Sequence, residues 1–153
     1  MPGLNISRKE AAERSAIIST HSYEVTIDTC QGSEIFISKS RVKFSGRAGA
    51  DTFIDAVGRK VISATLNGIP VDTSNYDGET IHLKNLASEN DLVVEIEAEY
   101  SKTGEGLQYS VDPVDNEVYL YSQHQANDSR RTFASFDQPD LKATYEFAVI
   151  APS

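Results

Sequence analysis

Residues 91–100 read "DLVVEIEAEY". Written as an extended chain, they place Leu92, Val94, Ile96, Ala98 and Tyr100 on one side. Glu95, Glu97 and Glu99 fall on the other. A period of two is that of a β-strand with one face buried and one in water. One-sided burial of this kind belongs to antiparallel sheets, because parallel sheets are covered on both faces.

The same alternation extends in both directions from this strand. Upstream, "SYEVTID" (22–28) aligns Tyr23, Val25 and Ile27, and "EIFISKSRVKF" (34–44) runs through Phe36, Val42 and Phe44 with charges mostly opposite. In "KVISATLNGIPVD" (60–72), Asn67-Gly68 separates two apolar runs. That dipeptide signals a hairpin, since a type I′ turn needs positive φ at both central residues. Pro70 lacks an N–H to donate, so the return strand is expected at a sheet edge. "NYDGETIHL" (75–83) repeats the signal at Asp77-Gly78. Downstream, "EVYLYSQ" (117–123) reads as a strand, and "LKATYEFAVI" (141–150) puts Leu141, Ala143, Tyr145, Phe147 and Val149 on one face. Residues 7–18 precede all of this as a short helix, with Ser7 and Glu10 at capping-box spacing. The expectation is an all-β fold: an antiparallel β-sandwich of seven or eight strands with a short N-terminal helix. We divide it as 1–20, helix and lead-in, and 21–153, the sandwich. The Pro-Ser ending after the last strand reads as a domain boundary.

Composition sets limits on function. The 153 residues suit one domain. The net charge of −9 argues against nucleic acid or an anionic membrane as partner, because phosphate binding needs a basic footprint. No stretch approaches a membrane span, and the N-terminus has no apolar core of a signal peptide. The expected location is the cytoplasm. Cys30 is the single cysteine, so no internal disulfide forms, and it is expected to be a small packing residue. The Asn-x-Ser triplets at Asn5 and Asn127 match the glycan acceptor pattern, which is weak without a secretory signal.

Motifs for chemistry are absent. His21, His82 and His124 have no second ligand at metal spacing, and no zinc, calcium, phosphate-loop or nucleophile-elbow pattern occurs. "TGEGL" (103–107) reads as a turn, and Asp112, Asp115 and Glu117 as a solvated loop. One passage stands out: "SQHQANDSRR" (122–131). If the strand from Val118 continues to 125, Tyr119, Tyr121, Gln123 and Gln125 share a face. Two amides beside two aromatics suit a polar ligand. By pattern alone they suit better a role in capping strand ends and bonding neighbouring loops.

These residues carry a resemblance. "TGEGL" followed by "DPVDNEVYLYSQHQANDSRRTFASFDQPDLKATYEFAV" (112–149) resembles the N-terminal domain of zinc aminopeptidases related to aminopeptidase N and leukotriene hydrolase. The ordered set is Thr-Gly-x-Gly-Leu, the amide-rich strand end, Arg-Arg, Phe-Asp-x-Pro and Leu-Lys-Ala-Thr. The resemblance implies a saddle-shaped sandwich packed on a thermolysin-like zinc domain of the same polypeptide. It implies a metalloprotease, membrane alanyl aminopeptidase-like, that releases N-terminal residues from peptides. The zinc ligands and catalytic residues would lie in the following domain, so this chain would hold no metal and be inactive alone. What this domain implies is part of the pocket for the peptide's N-terminal amine, with Ser122, Gln123 and Gln125 on the family's Thr/Ser-Gln-x-Glu motif. Gln125 departs from the usual Glu, as in the leukotriene hydrolase branch, which has Gln-x-Gln-Ala here. Residues around Phe133, Phe136 and Pro139 are expected to face the catalytic domain and to leave an apolar patch in this chain. The competing reading from another class is a free-standing β-sandwich binding or adhesion module.

Overall fold

The computed structural model describes residues 5–152; residues 1–4 of the N-terminal lead-in and Ser153 lie outside the described residues. Among the described residues there are one α-helix, one 3₁₀ turn and ten strands. Helix α1 spans Arg8–Ser15. Ser7 caps it reciprocally: the Glu10 N–H donates to Ser7 Oγ, and the Ser7 N–H donates to Glu10 Oε2. The helix stops short of residue 18 because Ile18 is drawn into the core as the first residue of β1 (Ile18–Asp28).

The main sheet has six strands in the order β10-β1-β2-β7-β4-β5. Its centre is β2 (Ile35–Gly46) against β7 (Glu89–Glu99). Leu92 sits opposite Val42, Val94 opposite Ser40, Ile96 opposite Ser38 and Ala98 opposite Phe36. All eight are buried. Residues 95, 97 and 99 point outward, where Arg59 pairs with Glu99 and Lys60 with Glu97. β4 (Lys60–Leu66) turns at Asn67-Gly68 into the two-residue β5 (Ile69–Pro70). Asn67 and Gly68 both have positive φ, +53° and +79°, and Pro70 lies at the sheet edge as expected.

Across the core lies a second, broken layer. It contains the β3–β6 pair (Thr52–Asp55 and Thr80–Leu83) and the segment carrying Phe133, Phe136 and Leu141. Phe44 meets Phe136 edge-on at 5.0 Å between centroids, and Phe36 lies 5.0 Å from Tyr100. The hairpin of β8 (Gly106–Val111) and β9 (Val118–Gln123) closes one end, with Leu107 in the core. The fold is all-β with a short helix, as read from the sequence.

Several details differ. β10 (Thr144–Ile150) runs parallel to β1, so the sheet is mixed rather than antiparallel. Alternation encodes which face is buried but not strand direction. Asp77-Gly78 does not close a hairpin. Asp77 Oδ1 accepts from the Glu79 and Thr80 N–H groups and launches β6, which pairs with β3 instead. Cys30 is exposed after β1 rather than packed. Phe133 and Phe136 are core residues and form no exposed patch. Uncovered apolar groups gather on β9 (Val118, Tyr119, Leu120, Tyr121) and β10 (Tyr145, Phe147, Val149, Ile150), with others scattered at Ile62, Ile69, Val111 and Val114. Tyr145 and Phe147 extend the row of Tyr23 and Val25 sideways past the rim of the second layer.

Two substitutions separate the contributions to this core. Phe44→Ala is expected to cost about 3–5 kcal/mol in urea unfolding, as for other buried aromatics. Ser40 is fully buried, and its hydroxyl has no hydrogen-bond partner among the described residues. Ser40→Ala removes an unpaired polar group and leaves almost no cavity, so stability should hold or rise by about 1 kcal/mol.

Candidate functional site

The candidate site begins where β9 ends. Gly106, the first residue of β8, pairs with Gln123, the last of β9. Before Gly106 the chain bends away through Gly104, and both glycines have positive φ. A β-carbon on Gly106 would also lie 2.7 Å from Arg131 Cβ. With no partner strand beyond Gly106, His124 cannot continue the ladder. The strand therefore stops at Gln123 and does not reach 125. Tyr119, Tyr121 and Gln123 share a face of β9, but Gln125 sits in the following turn.

That turn is braced from within. The Asp128 N–H donates to the His124 carbonyl at 3.1 Å. Arg131 Nε donates to Asp128 Oδ1 at 2.9 Å, and Asn127 Nδ2 to Asn5 Oδ1 at 2.8 Å. His124 Nε2 lies 3.0 Å from Thr132 Oγ1, with its ring edge-on to Phe133. The Gln125–Ala126 peptide is cis. Ala126, Ser129, Asp137 and Tyr145 line one hollow of about 400 Å³ beneath the turn.

The side chains of Ser122, Gln123 and Gln125 are exposed and make no hydrogen bond to another described residue. They neither cap β9 nor tie down a neighbouring loop. Nearby carboxylates are occupied: Asp128 by Arg131, and Asp137 by the N–H and Nε of Arg130. Burial pushes the Asp137 carboxyl above its usual range, against the pull of those Arg130 bonds. The unspent acceptors of this region are the amides.

Below the turn lies a cluster that the sequence did not reveal. Asp55, at the end of β3, is fully buried. Its Oδ2 accepts from Arg14 Nη1 at 2.7 Å and from the Asp137 N–H at 3.0 Å. Its Oδ1 lies 3.5 Å from Arg130 Nη1. Gln138 Oε1 accepts from Arg14 Nε at 2.6 Å. Arg130 and Asp137 belong to the Arg-Arg and Phe-Asp-x-Pro motifs, but Asp55 lies more than seventy residues away in a segment with no signal, and nothing in the helix read at 7–18 marked Arg14 as its partner.

Among the described residues no group of three or more His, Cys, Asp or Glu could hold a metal ion. The described residues do not fit zinc. No described helix is long and apolar enough to cross a membrane.

Residues 18–153 match the family described as the Peptidase M1 N-terminal domain. The chain belongs to the M1 peptidase family, as its N-terminal domain. Aminopeptidase N of Streptomyces lividans is 43% identical over 99% of this chain, which spans only 18% of that protein. Aminopeptidase A of Legionella pneumophila, solved with aspartic acid, superposes with a TM-score of 0.71 at 18% identity, over 88% of this chain and 16% of that one. Yeast LTA4 hydrolase, solved with bestatin, gives 0.71 at 14% identity, over 88% and 23%. At those identities the two structures speak to the fold alone.

His124 supplies a pH test of this region. Burial holds its pKa below the ordinary value, with Asp137 and Asp128 pulling weakly the other way. The unfolded chain therefore takes up the proton first, near pH of about 6.5. Stability from His124 is complete above that pH and is lost as pH falls from it through the lowered folded value. Urea unfolding from pH 7.5 down to 5 should show this slope, and His124→Gln should flatten it.

Proposed function

We propose that this domain supplies one wall of the substrate pocket of a zinc aminopeptidase, with Gln123 and Gln125 accepting hydrogen bonds from the peptide's free α-amine. The observation that carries the reading is a pair of exposed amides without hydrogen-bond partners among the described residues, Gln123 at the end of β9 and Gln125 in the turn that follows. An ammonium is donor-only and needs acceptors aimed at it; each glutamine Oε1 is one. The neighbouring carboxylates are already engaged by arginines, so they compete little for the amine. The identity to Aminopeptidase N supports the choice of substrate class. Peptide hydrolysis itself, and the zinc, would belong to a following domain of the same polypeptide. The uncovered apolar side chains on β9 and on β10 support such a neighbour, because exposed apolar surface of this kind marks a contact face.

The test is on residue 125 in the full-length polypeptide. A glutamate would bind an ammonium through a charge-assisted bond of about 1.5–3 kcal/mol, against about 0.5–1.5 for a neutral amide. Gln125→Glu should tighten free-amine ligands several-fold, about 1 kcal/mol, and Gln125→Ala should weaken them. Ligands lacking the amine should be nearly indifferent to both changes. Inhibition constants for matched amine and desamino pairs decide it; equal changes for both members would refute the role of Gln125.

A further inference from the structure

The turn that carries Gln125 is not held by strand pairing, since β9 ends two residues earlier. Its anchor runs inward through one guanidinium. Arg130 Nε donates to the Asn127 carbonyl at 2.8 Å, two residues after Gln125. The same nitrogen lies 3.3 Å from Asp137 Oδ2, which also accepts from the Arg130 N–H at 3.0 Å. At its far end the guanidinium lies against Asp55, with Nη1 3.5 Å from Oδ1. Asp55 cannot shift easily. Its side chain is gripped by Arg14 and the Asp137 N–H. Its backbone exchanges hydrogen bonds with Ser135 in both directions, at 3.0 and 2.9 Å. The Arg130 carbonyl in turn accepts from the Val57 N–H.

We propose that Arg130 is a positioning residue for the amine-binding turn: it hydrogen-bonds the Asn127 carbonyl, forms an ion pair with the buried Asp55 carboxylate, and so fixes where Gln125 points. The proposal rests on the reading of Gln125 as an amine acceptor. An arginine is needed because the planar fork presents several donors in fixed directions. A lysine ammonium at the same place keeps the charge that balances Asp55 and Asp137, but a single nitrogen cannot span from Asn127 to Asp55. Arg130→Lys therefore removes the tie and keeps the charge.

Three measurements on the full-length polypeptide test this. In Arg130→Lys, amide exchange at Asp128, whose N–H closes the turn, should quicken by about tenfold while β2 and β7 stay as in wild type. KM for a free-amine peptide should rise by about fivefold with kcat changed by less than about twofold, the signature of lost substrate binding. The effect of Gln125→Ala should shrink in the Arg130→Lys background, since residues acting through one another are not additive. Unchanged exchange at Asp128 would overturn the proposal, and so would a Gln125→Ala effect of equal size in both backgrounds. Faster exchange with a silent Gln125→Ala in wild type would instead remove the amine reading and leave the Arg130 tie standing. If Arg130→Lys does not fold, Asp137→Asn weakens the grip on Arg130 more gently. It should show the same quickened exchange, and its absence there would equally overturn the tie.

Discussion

The buried carboxylate of Asp55 draws together segments from both ends of this chain. Taking a carboxylate out of water costs several kcal/mol unless it is paired and fully hydrogen-bonded. Here the carboxylate's partners come from three segments: Arg14 from α1, Arg130 from the 3₁₀ turn Ser129–Arg131, and the Asp137 N–H from the strap that follows. Two arginines face two aspartates, so the buried cluster is close to neutral. An eight-residue helix is too short to persist by itself. Arg14 gives α1 its place. It reaches from the helix to Asp55 and Gln138, with its guanidinium 4.6 Å from the Phe53 ring centroid.

The same cluster organises the candidate site without touching a ligand. The hairpin brings Gln123 to the end of β9, and Gly106 lets Arg131 pack closely there. Arg131 neutralises Asp128, and Arg130 holds Asp137. Charges near the turn are thus satisfied internally, while the amides of Gln123 and Gln125 are not. In a chain of net charge −9, attraction of a cation could come from almost any surface. Direction could not, because mobile surface carboxylates are screened and unoriented. Acceptors on a braced turn supply direction.

The central strands were legible because burial there is one-sided and periodic: β2 and β7 keep their inner residues in step along nearly their whole length, and β1 does so from Tyr23 to Ile27, past a bulge near Thr20. The Asn67-Gly68 hairpin was legible because its backbone requirement is local. What escaped depends on contacts distant in sequence. β3 is four residues long and buried on nearly every position, so it shows no alternation. The end of β9 is set by its partner running out at Gly106, which Gln125 itself does not signal. The parallel setting of β10 follows from the long return of residues 124–143 across the second layer. Phe133 and Phe136 looked like candidates for an outer patch, but they fill the gap that the short β3–β6 pair leaves over the sheet. The Arg-Arg and Phe-Asp-x-Pro motifs were visible as motifs; their joint purpose needed Asp55, whose segment carried no signal.

The apolar face left open is continuous with the site. Tyr145 stacks on Tyr23 at 4.7 Å and on Phe147 at 6.0 Å, so one flank of this aromatic row is anchored in the core. The other flank is open, and Tyr145 also lines the hollow beneath Ala126, next to Gln125. Any body that covers the β10 row must therefore also approach the turn bearing the amides. The apolar burial that would fasten a neighbour and the polar groups that would meet an amine lie within one surface. On the proposed reading, a pocket formed in this way would be completed only when both sides are in place. On that reading the amides on this side would be held ready in advance, because the proposed anchor, Asp55, is buried inside this domain.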